Sequence, residues 1–169
     1  RAHNTASDGA KAGERCAINI ARRGLSEALI RRGNWLMHPS LYAPTRRIDV
    51  EVQVLASETG PLKHWTPTHL HIGADHLSAR VAVLSGGAIP AGGQGLAQLV
   101  VSRDAFAVHG DTFVLRDQSA QRTIAGGRVI DPFAPKRGRA RPTRIAALNA
   151  LQHQNVTDAI RACLLYTSP

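Results

Sequence analysis

Short alternating segments fill the sequence between residues 45 and 131, and this alternation constrains the fold more than any other feature. Ile48, Val50 and Val52 alternate with polar residues, which is the period-2 pattern of a half-buried β-strand. Further strands are predicted at residues 68–72, 80–84, 96–101, 112–115 and 122–130. Because turn signals separate these segments and helical patterns are nearly absent, the sequence predicts an all-β fold, a small antiparallel barrel.

The residues before this region predict a second, incomplete barrel domain. Residues 17–20 and 34–37 read as strands, and residues 25–30 have helical spacing. About 40 residues with so few strands cannot close a barrel. We therefore expect residues 1–39 to be the C-terminal part of a truncated barrel domain and residues 45–135 to form a complete one. Two prolines between residues 39 and 44 indicate a linker.

The C-terminal part of the chain changes character after residue 135. Residues 136–144 hold five Arg and Lys side chains, a pattern that fits either a solvated hinge or a contact with an RNA backbone. Residues 145–151 have helical spacing, so residues 136–162 are predicted to be a basic linker and the start of a further region. The final residues 163–169, CLLYTSP, continue no pattern, and we expect them to be a non-native tail.

Composition favours a polyanionic partner. The chain of 169 residues carries 21 Lys and Arg against 12 Asp and Glu, a formal charge of +9. Arginine predominates, which suits phosphate recognition, although a GC-rich genome would give the same bias. No apolar run approaches the roughly 20 residues that span a bilayer, so no membrane is expected. Cys16 is predicted to be a small core residue; with Cys163 it makes no disulfide framework, which favours the cytoplasm.

Four histidines between residues 64 and 76 raise the possibility of a metal site. His69 and His71 would point to the same side of a strand, a spacing that can bind zinc. No Cys pair lies nearby and no HExxH motif is present, so a His-rich metal-binding barrel is the less favoured alternative. The glycines of residues 86–95 lack the GxxxxGK[ST] pattern of a phosphate-binding loop, and no catalytic set of residues is evident.

Three segments, in this order, carry a family resemblance: AGERCAINIARRGLSEALIRRGNWL at residues 12–36, RIDVEV and PLKHWTPTHLHIGADHLSARVAVL within residues 47–84, and GDTFVLRDQSAQRTIAGGRVIDP at residues 110–132. Together they resemble the selenocysteine-specific elongation factors of translation. The resemblance implies barrels of the kind that form domains II and III of translation elongation factors. Residues 1–39 would then end domain II, residues 45–135 would form domain III, and residues 136–162 would begin a winged-helix region.

The same resemblance implies a function. Such a chain would bind selenocysteinyl-tRNA for delivery to the ribosome at recoded UGA codons. GTP and Mg²⁺ would bind a GTPase domain before residue 1, so this fragment is not expected to be an enzyme or to hold a cofactor. The selenocysteine insertion hairpin of the mRNA would bind beyond the C-terminal end, and we expect a cytoplasmic monomer. The barrel of another translational GTPase, with a different aminoacyl-tRNA, is the main alternative.

Arg15 is the candidate selenocysteine-pocket residue, because the resemblance places it in the amino-acid pocket. Selenol is more acidic than thiol or hydroxyl, so selenocysteine on its tRNA is an anion at neutral pH. A factor that rejects the neutral serine precursor needs a fixed cation, and arginine is always charged. A charge-assisted hydrogen bond contributes about 1.5–3 kcal/mol, or about 10- to 150-fold in discrimination. The plain alternative is an exposed arginine at a strand end.

The resemblance also implies a surface that contacts the acceptor and T stems of the tRNA. Double-helical RNA is recognised through phosphates and 2′-hydroxyls, which Arg, Ser, Thr and backbone N–H groups suit. Since a carboxylate repels phosphate, Asp117 is expected to accept from a hydroxyl or to hold a neighbouring arginine. Each position could instead be a surface turn residue or a structural histidine. The candidates are His69, His71, Gly73, Ser78, Arg116, Asp117, Arg122 and Thr123.

Overall fold

The computed structural model describes residues 9–21, 24, 26, 29–152, 157 and 160. The chain divides into two compact units, Arg1–Arg31 and Arg32–Pro169. In the first unit, residues 9–21 are exposed and form no strand beyond one isolated bridge at Cys16. The predicted strand at residues 17–20 is therefore wrong. The predicted core position of Cys16 is also wrong, since its thiol is free and exposed. A short extended segment buries neither face unless partner strands cover it.

The described residues from 29 to 44 precede the barrel and contain little regular structure. Half of the segment with predicted helical spacing, residues 25, 27 and 28 of 25–30, lies outside the described residues. Residues 34–37 form no strand, which corrects the prediction made from their apolar content. Pro39–Leu41 forms a single 3₁₀ turn, capped where the side chain of His38 accepts from the backbone N–H of Ser40 at 3.3 Å. Proline fixes φ and removes a donor, so this segment suits a connection.

A closed barrel begins at residue 45. Its elements are β1 (Thr45–Val54), β2 (Leu62–Lys63), β3 (Thr66–Ile72), β4 (Asp75–Val83), β5 (Ala88–Ile89), β6 (Gln94–Ala105), β7 (Thr112–Arg116), β8 (Thr123–Asp131) and α1 (Pro142–Leu151). Six strands close in the order β1-β6-β4-β3-β7-β8, since β8 pairs back with β1. All of these pairs are antiparallel. The predicted all-β barrel is confirmed, and the short β5, paired with β2, lies inside the predicted glycine loop.

Aliphatic side chains fill the barrel. Alternate residues of each strand point inward, so that Ile48, Leu70, Leu99 and Leu115 are fully buried. Among the described residues, Phe113 is the one aromatic side chain in this core cluster. Burial of each large aliphatic side chain stabilises the fold by about 1.5–3 kcal/mol. The barrel is therefore held by the period-2 pattern that the sequence shows.

Gly127 permits the close approach of three strands. It pairs with Val52 of β1 and with Phe113 of β7. A Cβ atom at this position would overlap the carbonyl oxygen of Glu51 and lie 2.8 Å from the Phe113 ring. Gly127 is thus required by space, where β8 closes the barrel against β1.

Helix α1 packs on the outside of the barrel through a small second core. Leu148 is fully buried and packs against Leu84, Leu96 and Ile130. The helix has 10 residues and begins at Pro142, a residue suited to the first helical turn. Within the described part of the chain, no helix has the length and apolar character needed to cross a membrane.

A buried polar network fixes α1 beside this second core. Arg144 donates from Nε at 3.0 Å and from Nη2 at 2.5 Å to Oδ2 of Asp49, and from Nη2 at 2.5 Å to Asp131. Gln98 donates to Oδ1 of Asp49 at 2.9 Å and to the carbonyl of Pro135 at 3.1 Å. Burial raises the pKa of Asp49, although hydrogen bonds from Arg144 and Gln98 oppose this shift.

These contacts change the interpretation of the basic linker. Pro135 and Arg144 anchor the two ends of residues 136–144 to the barrel, so a free hinge does not describe this segment. We call the barrel surface that receives the helix the α1 face. It is formed by Asp49, Leu84, Leu96, Gln98, Ile130 and Asp131.

Candidate nucleic-acid interface

Four strands bring predicted RNA-contacting residues from separate parts of the chain into one cross-strand row. Ser78 on β4 pairs with His69 on β3. His69 also pairs with Arg116 on β7, and Arg116 pairs with Thr123 on β8. Adjacent strands lie about 4.8 Å apart, so the row spans about 14 Å. We call Ser78, His69, Arg116 and Thr123 the outer row.

The outer row points away from the core because strand residues alternate between the two sides of a sheet. The residues next to it in sequence, Leu70, Leu77, Leu115 and Ile124, are all buried. Ser78 and Thr123 are exposed, while His69 and Arg116 are half-buried. The fold thus exposes hydroxyl groups on both sides of an imidazole and a guanidinium.

Arg116 is the cation of the outer row. Its Nη2 donates to the carbonyl of Gln121 at 3.0 Å. Its Nε is buried and has no hydrogen-bond partner among the described residues. The guanidinium is held in place by one neutral acceptor, and its charge is not matched by a carboxylate in the described part of the chain. Such a group suits an anionic ligand.

A second pair of histidines lies beside the outer row. His71 on β3 pairs with His76 on β4, and their ring centroids are 6.1 Å apart. Burial lowers the pKa of His71, and the nearby charge of Arg116 lowers it further. The lowered pKa favours the neutral form of the His71 imidazole at pH 7. Its Nε2 is buried without a partner among the described residues.

Asp117 organises the loop between β7 and β8. Its carboxylate accepts from the hydroxyl of Ser119 at 2.9 Å and from the backbone N–H groups of Gln121 and Arg122 at 2.9 and 3.3 Å. Desolvation alone would raise the pKa of Asp117, but the hydrogen bond from Ser119, those from the backbone and the charge of Arg122 lower it. Asp117 both accepts from a hydroxyl and lies 3.7 Å from Nε of Arg122.

Arg122 makes a contact that sequence reasoning missed. Its Nη1 forms an ion pair with the carboxylate of Glu58, in the loop that follows β1. Arg122 therefore ties the β7–β8 loop to the β1–β2 loop. A phosphate would share this guanidinium with two carboxylates, Glu58 and Asp117. Glu58 lies in a turn after β1, and no sequence pattern there would have marked it as the partner of Arg122.

Gly73 occupies the tight turn between β3 and β4. Its φ of +54° lies in the left-handed region that favours glycine, and a Cβ would meet the ring of Trp35 at 3.7 Å. The turn geometry thus accounts for this glycine without any ligand. The placement leaves Gly73 exposed, two positions beyond His71.

A groove lies beside His69 and Ser78, two of the four residues of the outer row. It has a volume of about 480 Å³, and it is lined in part by His69, Ser78, Arg80, Ser102 and Gln118. Nε2 of His69 lies 3.2 Å from the carbonyl oxygen of Gln118, at the tip of the β7–β8 loop. Arg80 was missed by sequence reasoning, although it continues the outward alternation of His76 and Ser78 on β4 and could have been found from that signal.

Arg15 lies in the first unit, and the outer row lies in the second. Arg15 is exposed, as are the residues on both sides of it.

Among the described residues, no group of three or more His, Cys, Asp or Glu side chains converges as a metal site would. The loop at residues 86–95 connects strands to strands, so its residues do not fit a nucleotide phosphate at a helix start.

Comparison with known protein families accounts for the barrel. A family model for the β-barrel domain of the selenocysteine-specific elongation factor matches residues 48–136, which is more than half of the chain. The chain belongs to the selenocysteine-specific elongation factor family. The match covers all six strands of the barrel apart from the first residues of β1.

Curated members of the selenocysteine-specific elongation factor family are similar beyond the barrel. The factor of Desulfomicrobium baculatum is 37% identical over 134 residues, which cover 79% of this chain and 21% of the relative. The factor of Escherichia coli K12 is 36% identical over 160 residues, covering 94% and 24%. That of Haemophilus influenzae is 30% identical, covering 99% and 26%. The chain spans about a quarter of the length of these selenocysteine-specific elongation factors.

Proposed function

We propose that this chain is the RNA-binding part of an elongation factor that holds selenocysteinyl-tRNA and delivers it to the ribosome at recoded UGA codons. The outer row is the observation that carries the proposal, because it aligns Ser78, His69, Arg116 and Thr123 on one exposed surface. Membership of the family supports selenocysteine as the amino acid and translation elongation as the process.

The outer row has the chemistry of duplex RNA recognition. Phosphates and 2′-hydroxyls are contacted by Arg, Ser and Thr side chains and by backbone N–H groups. Arg116 supplies a cation that has no carboxylate partner in the part of the chain the structure describes, and Ser78 and Thr123 supply hydroxyls in the same row. Arg80 extends the positive charge along the groove. Arg122, with its two carboxylate neighbours, shapes the loop and is a weaker phosphate ligand.

Discrimination of the amino acid is assigned to Arg15 in the same proposal. An always-charged guanidinium makes a strong charge-assisted interaction with a selenolate. Its interaction with the neutral hydroxyl of serine is weaker. GTP with Mg²⁺, and the hairpin of the mRNA, are proposed to bind other parts of the full-length factor. This chain, acting as a monomer, is proposed to hydrolyse no GTP. Its sequence has no GxxxxGK[ST] motif.

The test measures the affinity of a full-length factor that contains this chain at fixed salt. It compares selenocysteinyl-tRNA with the same tRNA carrying serine. We expect a preference for selenocysteine of about 10- to 150-fold, lost in Arg15→Ala. Lys11→Ala, which removes a cation from the same exposed segment, is the matched control and should keep the preference.

Two outcomes would redirect the proposal. Equal binding of both charged tRNAs by the wild-type factor would favour a translational GTPase that carries a different aminoacyl-tRNA. Equal loss of preference in Arg15→Ala and Lys11→Ala would leave tRNA binding in place and remove the pocket role of Arg15.

A further inference from the structure

Trp65 lies in an unusual backbone conformation between β2 and β3. Its φ is +69°, and among the described residues Ala120 is the only other non-glycine residue with a positive φ. This conformation is costly for a bulky side chain, and such costs are tolerated where the surrounding structure fixes them. The backbone N–H of Trp65 donates to Val81 at 2.6 Å, and the hydroxyl of Thr66 donates to Lys63 at 2.7 Å. The fold thus holds an indole that is 41% exposed.

Two guanidinium groups lie against this indole. The Cζ of Arg139, from the basic linker, is 5.5 Å from the ring centroid, and the Cζ of Arg80, from β4, is 6.0 Å from it. Both distances are in the range of cation–π attraction. The ring of His64 is 5.9 Å away at an interplanar angle of 25°. Neither guanidinium forms an ion pair with a carboxylate in the described part of the chain.

We propose that Trp65, Arg80 and Arg139 form a binding site for one unpaired nucleotide of a single-stranded RNA. The base stacks on the indole or on the plane of a guanidinium that already packs against it. The phosphate pairs with the guanidinium groups, whose charge no carboxylate among the described residues neutralises. Single-stranded RNA is recognised in this way by aromatic side chains and arginine, whereas a duplex keeps its bases stacked inside.

The chemistry favours RNA over other anionic partners. Arginine presents a planar, weakly hydrated cation that can pair with phosphate and stack on a base at the same time. The backbone of Trp65 is fixed by its hydrogen bond, and the indole already packs against two guanidinium groups and His64, so less side-chain entropy is lost when a base stacks on it. The site shares Arg80 with the groove beside the outer row, but it differs from the outer row because it stacks a base, and it does not depend on the charged tRNA of the proposed function.

The experiment uses the 169-residue chain with Trp35→Phe, which leaves Trp65 as its one tryptophan. A single-stranded RNA octanucleotide is titrated while Trp65 fluorescence is followed. We expect saturable quenching, and an affinity that falls about 5- to 150-fold in Trp65→Leu, measured by anisotropy of a labelled RNA. Trp65→Phe keeps a stacking ring and should retain part of the affinity, while circular dichroism checks that each variant is folded.

Arginine variants separate stacking from general charge. Arg139→Gln should weaken binding and reduce the slope of log affinity against log salt by about 0.7. Arg128→Gln removes the same charge from an exposed position on β8 that has no indole neighbour, and should reduce affinity less. Equal loss in both arginine variants would overturn the proposal.

Three further results would also overturn it. The first is unchanged binding by Trp65→Leu. The second is binding of an RNA duplex of the same length with equal affinity and equal quenching, which would indicate backbone contact alone. The third is quenching by phosphatidylserine vesicles but not by the octanucleotide, which would indicate a membrane surface instead.

Discussion

The α1 face and the outer row use arginine in opposite ways. On the α1 face, Arg144 has a side chain that is 19% exposed and contacts both Asp49 and Asp131. On the outer row, Arg116 has one neutral acceptor and a buried Nε without a partner among the described residues. The first guanidinium is neutralised by carboxylates within the fold, and the second has no carboxylate partner among the described residues.

Net charge therefore says less about binding than the local pairing of each cation. The formal charge of +9 counts every arginine alike. Arg46, Arg103, Arg122 and Arg144 form ion pairs with carboxylates. The arginines without such pairs among the described residues include Arg80, Arg116, Arg128 and Arg139. The surfaces that carry the second group are the ones a polyanion would contact first.

The largest expected effect breaks the α1 face. Arg144→Ala should lower the free energy of unfolding by about 3–5 kcal/mol, because it leaves the fully buried carboxylate of Asp49 without its cation. Urea unfolding at pH 7 measures this loss.

Arg46→Ala is the control for this variant. Arg46 and Asp104 have side chains that are 60% and 56% exposed, so their ion pair should contribute at most about 1 kcal/mol. Similar losses in both variants would show that Arg144 is no more structural than a surface arginine, and the contrast between the two regions would fail.

A smaller effect tests the outer row. The test RNA is a hairpin that reproduces the acceptor and T stems. Arg116→Gln should weaken binding to it by about tenfold, since one charge-assisted contact is lost. The salt slope should fall by roughly 0.9, while the free energy of unfolding changes by less than about 1 kcal/mol. Fluorescence anisotropy at several salt concentrations gives both affinity and slope.

The paired Arg46 supplies the matched charge change here as well. Arg46→Gln should leave affinity for the RNA hairpin within about twofold, because its charge is already neutralised by Asp104. If Arg116→Gln instead lowers stability strongly and leaves RNA affinity intact, Arg116 belongs with Arg144 as a structural residue.

The smallest expected effect concerns pH and the β7–β8 loop. The pKa of Asp117 is lowered from 3.8, so its contribution to stability is present above that pH and is lost as the pH falls through the folded pKa. Asp117→Asn should therefore lower the melting temperature at pH 6–7 and have a diminishing effect at pH 3. The pKa of Asp49 is raised, so its own contribution to the pH dependence of stability has the opposite sign and declines as the pH rises through the folded pKa. Thermal unfolding of both proteins at pH 6–7 and at pH 3 measures this difference. A larger fall in melting temperature for Asp117→Asn at pH 3 would contradict the prediction.

The strands of the barrel could be predicted from the sequence because their signals are local. The alternation of Ile48, Val50 and Val52 located β1, and the alternating segment at residues 112–115 lies within β7 (Thr112–Arg116). Turn residues bounded each segment. The two-residue strands β2 and β5 are too short to carry a period, so they were missed.

Contacts between distant segments could not be predicted in this way. Arg144 and Asp49 are 95 residues apart, and nothing in either segment marks the other as its partner. The alignment of Ser78, His69 and Arg116 depends on the register of β4, β3 and β7, which local alternation leaves open. The candidate residues came from family resemblance, and the register adds the row that they form.

The closure of the barrel limits how any partner can be recognised. Each of its six strands has a hydrogen-bonded neighbour on both sides, so the barrel wall has no edge to which a further strand could add. Recognition by strand addition, which depends little on side chains, is therefore closed to this wall. A partner must be selected by the side chains that the wall displays. Substitution at a few outward positions can consequently change the partner over evolution while the strands beneath keep their pairing.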